Sequence, residues 1–158
     1  MKKKGISETE EDYLRAIYEL SEDKGYATVS DVAQRLSVKP PSVTDMIKKL
    51  SESGYVIYEP YKPITLSEKG KKVAGEVFNK HRVLTNFLTI LGIPPDISEQ
   101  DACGIEHHLH RETTEILTKF VEFIQMAPRQ PRWLEHFNVY METGKLPDDM
   151  CRDREEDS

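Results

Sequence analysis

The stretch DACGIEHHLHRET, residues 101–113, places a cysteine, a glutamate and three histidines within eight positions. Thiolate, carboxylate and imidazole are the side chains that hold divalent transition metals. On a helix each residue turns by about 100°, so Cys103, Glu106, His107 and His110 would share one stripe while His108 faces away. The same residues have a plainer use. Cysteine is among the most buried residue types and a helical histidine is usually packed or solvated, so the Cys103–Glu106–His107 trio reads equally as packing or as a ligand set. Two further donors lie on other stretches: Asp12 in TEEDYLRAIYEL and His81 in FNKHRVL. A metal taking ligands from the first helix and the fifth would act as a clamp.

At 158 residues the chain makes one ordinary domain or two small ones. Its 37% apolar and 32% charged residues suit a soluble, helix-rich protein. No apolar run approaches the roughly 20 residues of a membrane span, and MKKKGISETEEDY lacks the hydrophobic stretch of a signal peptide. Of the two cysteines, Cys103 and Cys151, the second lies in a polar tail, so a reducing cytoplasm is expected rather than a disulfide framework. A net charge of −6 argues against nucleic acid as a partner until its distribution is read. Residues 35–72 hold eight Lys/Arg against four Asp/Glu, whereas residues 148–158 hold two against six. The acidic end masks a locally basic segment, and the local charge is what a partner meets.

SETEEDYLRAIYELSED (7–23) has an amphipathic helical pattern, with Leu14, Ile17, Tyr18 and Leu20 on its apolar side. TVSDVAQRL (28–36) opens with Thr28 and Asp31 at capping-box spacing. After a short SVK, PPSVTDMIKKLSESG starts with prolines, which the first turn of a helix accepts, and stops at Gly54. Val43, Met46, Ile47 and Leu50 form its buried stripe and Ser42, Thr44, Asp45, Lys48 and Lys49 face out. YVIYEPYKPITL alternates around PYKP as a small β-hairpin. A long helix follows, broken by PPD at 94–96. A helix capped by Ser98 and Asp101 comes next, then a helical TTEILTKFVEFIQ, a short helix around PRWLEHF, and disorder from about Asp148. Trp133 is expected to pack the tail onto the body, and His108 and His136 to be structural or solvated.

Three helices with a tight turn between the second and third, followed by a hairpin, make a winged helix-turn-helix. Its third helix needs an apolar inner face and an outer face of small polar and basic groups, which reach base edges and hold phosphates. Lys39, Pro40, Pro41, Ser42, Thr44, Asp45, Lys48 and Lys49 meet that description, and Lys62 sits at the tip of the hairpin. Asp45 can accept from a cytosine amino group but also repels phosphates.

The segments TEEDYLRAIYEL, VSDVAQRLSVKPPSVTDMIKKL, GYVIYE, ITLSEKGKKVA, KHRVLTNFL and DACGIEHHL, in this order and spacing, resemble the diphtheria-toxin-repressor and manganese-transport-regulator family over about residues 7–125. The resemblance implies a dimeric, metal-activated repressor: mainly α, with an N-terminal winged helix-turn-helix followed by an all-helical dimerisation and metal-binding domain. It implies domains at 1–73 and 74–144 with an acidic tail at 145–158, in the short form without an SH3-like domain. By position it assigns the primary metal site to Asp12, Cys103, Glu106 and His107, and a neighbouring site to His81 with Glu99. The chain mixes the family's two branches. Arg15 matches the iron branch and Asp12 the manganese branch, Cys103 replaces the manganese branch's glutamate, and Thr85 stands where the iron branch has a carboxylate.

The expectation is therefore a cytoplasmic homodimer that binds palindromic double-stranded operator DNA and no membrane. Its cofactor is Fe²⁺ in preference to Mn²⁺, because sulfur is a poorer partner for the harder ion; Zn²⁺ or Co²⁺ would substitute. Two rivals are a metal hydrolase with Glu106 as base and a winged-helix regulator with Cys103 as redox sensor. The hydrolase lacks any Gly-rich or pocket-forming segment around its ligands.

Overall fold

The structure, a computed structural model, describes residues 5–152. Among the described residues, eight helices and one hairpin follow in the order α1 (Glu8–Lys24), α2 (Val29–Leu36), α3 (Pro40–Glu52), β1 (Val56–Ile57), β2 (Thr65–Leu66), α4 (Glu68–Ile90), α5 (Pro95–Ile105), α6 (Arg111–Met126), α7 (Arg132–Thr143) and α8 (Asp148–Arg152). A single 3-10 turn, Glu106–His108, separates α5 from α6. The chain divides into two compact units, the first ending at Arg82 and the second beginning at Val83, within α4. No described helix is long and apolar enough to cross a membrane.

The first unit is the expected winged helix. α1 starts at a reciprocal capping box: Glu10 N–H donates to the Ser7 hydroxyl at 3.2 Å, and Ser7 N–H to the Glu10 carboxylate at 2.8 Å. α2 repeats the device with Thr28 and Asp31. Each box satisfies two backbone donors that a helix start leaves open. α2 ends at Ser37 in the left-handed region (φ 54°), which turns the chain sharply into α3, where prolines occupy the first turn. Leu14, Ile17, Val32, Val43, Ile47 and Leu50 are fully buried and Met46 partly so, as the period of the sequence requires. The wing is antiparallel, pairing Val56 with Leu66 and Ile57 with Thr65. An isolated bridge joins Ile64 to Ala27 ahead of α2. Pro60 and Pro63 cannot donate to a ladder, which keeps the strands short.

In the second unit Val83, Leu84, Val121 and Leu134 are buried. Phe87 meets Phe120 edge-on at 5.8 Å, and Phe120 lies 6.0 Å from Trp133, which seats α7 as expected of that tryptophan. Among the described residues of this unit, the most exposed apolar side chains are Ile116, Phe123 and Met126 of α6, with Met141 of α7.

Three expectations need correction. α5 begins at Pro95, three residues before Ser98; Ser98 is buried within the helix and donates to the Ile93 carbonyl at 3.2 Å. Proline at the first helical position outcompeted the serine as the start signal. Second, the helix does not run through 103–110. It tightens to a 3-10 turn at Glu106, two residues after the poor helix former Gly104, and His110 is the N-cap of α6. His110 therefore leaves the ligand stripe. Third, the segment expected to be disordered opens with α8, where Asp149 accepts from Arg132 and lies 3.0 Å from His136 Nε2. The rest of that tail, 153–158, lies outside the described residues.

Candidate metal centre and nucleic-acid interface

The donor cluster forms where α5 gives way to the 3-10 turn. Glu106 is buried (1% exposed), although a carboxylate in such a place is costly unless charge or hydrogen bonds compensate it. The Sγ of Cys103, half-buried one turn earlier, comes within 4.8 Å of a Glu106 carboxylate oxygen. His107 Nε2 lies 3.5 Å from Glu106 Oε1, with only 5% of its side chain exposed. Thiol, carboxylate and imidazole thus converge on one short segment. Two of the three are anionic when ligating, so their close approach is eased by a divalent cation, and the set fits a transition metal.

The remaining expected donors lie on α1, α4 and α5 and beyond the 3-10 turn. Glu99 is exposed on α5, and His108 and His110 are exposed beyond the cluster. Asp12 is half-buried on α1 and His81 buried on α4, both in the first unit.

The candidate DNA surface is α3 and the wing. Lys39 precedes α3 as its N-cap; Pro40, Pro41, Ser42, Asp45, Lys48 and Lys49 are exposed, and Thr44 is half-buried with its hydroxyl donating to the Pro40 carbonyl at 3.2 Å. The basic groups differ in what engages them. Lys49 Nζ sits 3.0 Å from Glu10 Oε1, so this lysine joins α3 to the start of α1. Glu10 is held below the usual carboxylate range, first by the Ser7 backbone N–H and further by Lys49. Lys62 pairs with Glu59 across the wing turn. α1 and α2 are bound together by Glu19, whose carboxylate meets Arg15 at 3.3 Å and Arg35 at 2.8 Å.

Two features escaped the sequence reading. Glu10 has a detectable signal, since Ser7-x-x-Glu10 is itself a capping-box spacing, but its pairing with Lys49 across 39 positions has none. The other is the seam between the wing and α4. Ser67 N–H donates to the Tyr55 carbonyl at 3.0 Å, its hydroxyl accepts from Gly70 N–H at 3.0 Å, and Lys69 Nζ reaches the Ser53 carbonyl at 3.0 Å.

Both halves of the chain resemble known proteins. Residues 5–64 match the family described as iron dependent repressor, N-terminal DNA binding domain. Residues 67–135 match iron dependent repressor, metal binding and dimerisation domain. The chain is 38% identical over 135 residues to the HTH-type transcriptional regulator MntR of Geobacillus thermodenitrificans, covering 85% of this chain and 96% of that one. Among solved structures, T. acidophilum IdeR superposes with a TM-score of 0.65 at 31% identity, covering 82% of this chain and 58% of that one. The manganese regulator SloR superposes at 0.63 with 32% identity, covering 75% and 56%. The chain spans a little over half the length of those two structures. A helix-turn-helix with a wing, a donor cluster at the end of α5, and family matches over both halves lead to one conclusion: the chain belongs to the iron-dependent repressor family, the diphtheria-toxin-repressor and manganese-transport-regulator group of metal-dependent transcriptional regulators.

Proposed function

We propose that this regulator is a cytoplasmic homodimer that represses metal-uptake genes, binding a palindromic operator when loaded with a divalent metal. The observation that carries the proposal is the buried Glu106 carboxylate with the Cys103 thiol and the His107 imidazole gathered beside it. The family resemblance adds Asp12 to this set and gives His81, with Glu99, to a neighbouring site. A metal ligated by Asp12 as well as Glu106 would hold α1 in place, and α1 is joined to the DNA-reading helix by the Glu10–Lys49 pair. Metal then raises operator affinity to the extent that it prefers the DNA-competent form.

Fe²⁺ is the first-choice metal because of the sulfur donor, with Mn²⁺ next and Zn²⁺ or Co²⁺ as substitutes. The manganese named for SloR supports keeping Mn²⁺ in that order. On the DNA side, Lys39 and Lys48 hold phosphates, Pro40 and Pro41 set the approach of α3, and Ser42, Thr44 and Asp45 reach base edges. Lys49 and Lys62 join them once released from their carboxylates.

The test is a gel shift on operator duplex, anaerobic, in chelator and then with Fe²⁺ or Mn²⁺ restored. Weak binding in chelator and strong binding with either metal is the expected result. Equal affinity under all three conditions would remove the metal switch while leaving the winged helix as a DNA binder.

A further inference from the structure

The tip of the wing is built around one residue in an unfavourable setting. In the turn Glu59–Lys62, Lys62 N–H donates to the Glu59 carbonyl at 3.1 Å, and Pro60 and Tyr61 take the two central positions. Tyr61 has φ +65°. Proline followed by a positive φ is the pattern of a type II turn, whose second central position ordinarily goes to glycine or asparagine. A tyrosine there is strained, and such strain collects at sites where it serves a function. Its ring is also more exposed than in a reference peptide (106%), so no other described residue covers it. Backbone strain and a solvated aromatic ring thus fall on the same residue.

The surroundings hold that ring in position. Pro60 and Pro63 stiffen the turn on both sides, and the Lys62–Glu59 ion pair bridges it. A side chain presented on a stiff turn loses little freedom on binding. While Glu59 pairs with the lysine beside it, the tip offers an aromatic face and a phenol, to which Lys62 adds its charge once released.

We propose that Tyr61 is a DNA contact. It lays its ring on the deoxyribose edge of the minor groove beside the site read by α3, and its phenol donates to a phosphate oxygen. This rests on reading the chain as a DNA-binding regulator, and the wing tip, Glu59–Lys62, lies within the segment matched as a DNA-binding domain. The contact positions the wing and reads no base, so it adds affinity for every operator sequence alike.

The test uses the full chain with Mn²⁺ and a duplex that the wild type selects from a randomised pool. Tyr61→Gly relaxes the turn, so its urea midpoint stays level or rises while operator affinity falls about tenfold, the mark of one lost contact of consequence. Tyr61→Phe keeps the ring and loses the phenol, and falls about threefold. Neither variant changes the slope of log affinity against log salt, because no charge is removed. Photo-cross-linking with 5-iododeoxyuridine beside the half-site should attach to Tyr61. Wild-type affinity in Tyr61→Gly overturns the proposal alone. A lowered urea midpoint with a parallel loss of affinity also overturns it, by making the residue structural. A wild type that selects no duplex overturns the DNA-binding reading and the contact with it.

Discussion

Gly70 is the glycine at which α4 comes closest to a neighbouring backbone, the Tyr55 carbonyl at the start of the wing. A methyl group added there would lie 1.9 Å from the Tyr55 carbonyl oxygen and 2.9 Å from its carbon. That oxygen has to retreat by more than 1 Å before the contact reaches even 3.0 Å. It is also the acceptor of the Ser67 N–H bond at 3.0 Å, so retreat spoils the cap of α4. In an open helix, glycine to alanine stabilises by about 0.5–1 kcal/mol. Against this stand about 1–3 kcal/mol of overpacking and about 1 kcal/mol for a weakened hydrogen bond. Gly70→Ala is therefore expected to destabilise by about 1–3 kcal/mol, opposite in sign to helix propensity. Gly75, on the same helix with nothing within 4 Å of an added methyl, is the control, and Gly75→Ala should stabilise by about 0.5–1 kcal/mol. Urea denaturation followed by far-ultraviolet circular dichroism, with the slope held in common, measures both. If Gly70→Ala proved as stable as Gly75→Ala, the close approach of Tyr55 would be wrong.

Four further outcomes are expected. Lys48→Ala should lower the salt slope of operator binding by about 0.9, the loss of one phosphate contact. Lys49→Ala should instead disturb unfolding as well as binding, because it removes the ion-pair partner of Glu10; matching unfolding curves for both variants would refute that division. Asp31 is held below its ordinary carboxylate range, first by Lys24 and then by Thr28, so its contribution is present above the unfolded value of about 3.9 and is lost as pH falls through the folded one. The stability gap between wild type and Asp31→Asn should accordingly be widest near neutrality and close in acid; a gap constant from pH 7 downward to about pH 2 would sever it from that titration. Cys103→Glu, trading a soft ligand for a hard one, should move the activating metal from Fe²⁺ towards Mn²⁺ in anaerobic titrations of operator affinity, and superimposable curves would make Cys103 a packing residue.

The helix-turn-helix was readable because its signals are local. Thr28 and Asp31 are three positions apart, the prolines of α3 mark a first turn, and Val43, Ile47 and Leu50 repeat with the helical period. The donor cluster was readable in its members and not in its shape. Gly104 is compatible with both an unbroken helix and a break, so His110 was placed on a stripe that ends at the 3-10 turn. Ser98 looked like a cap because a proline at a first position and a serine four residues later compete for the same role. Pairings such as Lys49 with Glu10, or Ser67 with Tyr55, depend on which surfaces folding brings together, and no periodicity encodes that. Tyr61 is the opposite case: its turn is local, but the left-handed position that glycine usually advertises is filled by a residue that conceals it.

The bridge between Ala27 and Ile64 also has a kinetic consequence. The Ile64 N–H to Ala27 carbonyl bond, 2.8 Å long, closes a loop containing α2, α3 and the outgoing strand, whereas the capping boxes and helical turns around it form between near neighbours. Helices of this kind relax in about a microsecond, and the entropy of joining distant segments must be met before their contact returns anything. Docking Ile64, a side chain almost wholly buried, is thus one of the slow searches in the first unit. Trimming it to valine would be felt mainly as slower refolding if that docking belongs to the transition state, and mainly as faster unfolding if the wing joins afterwards.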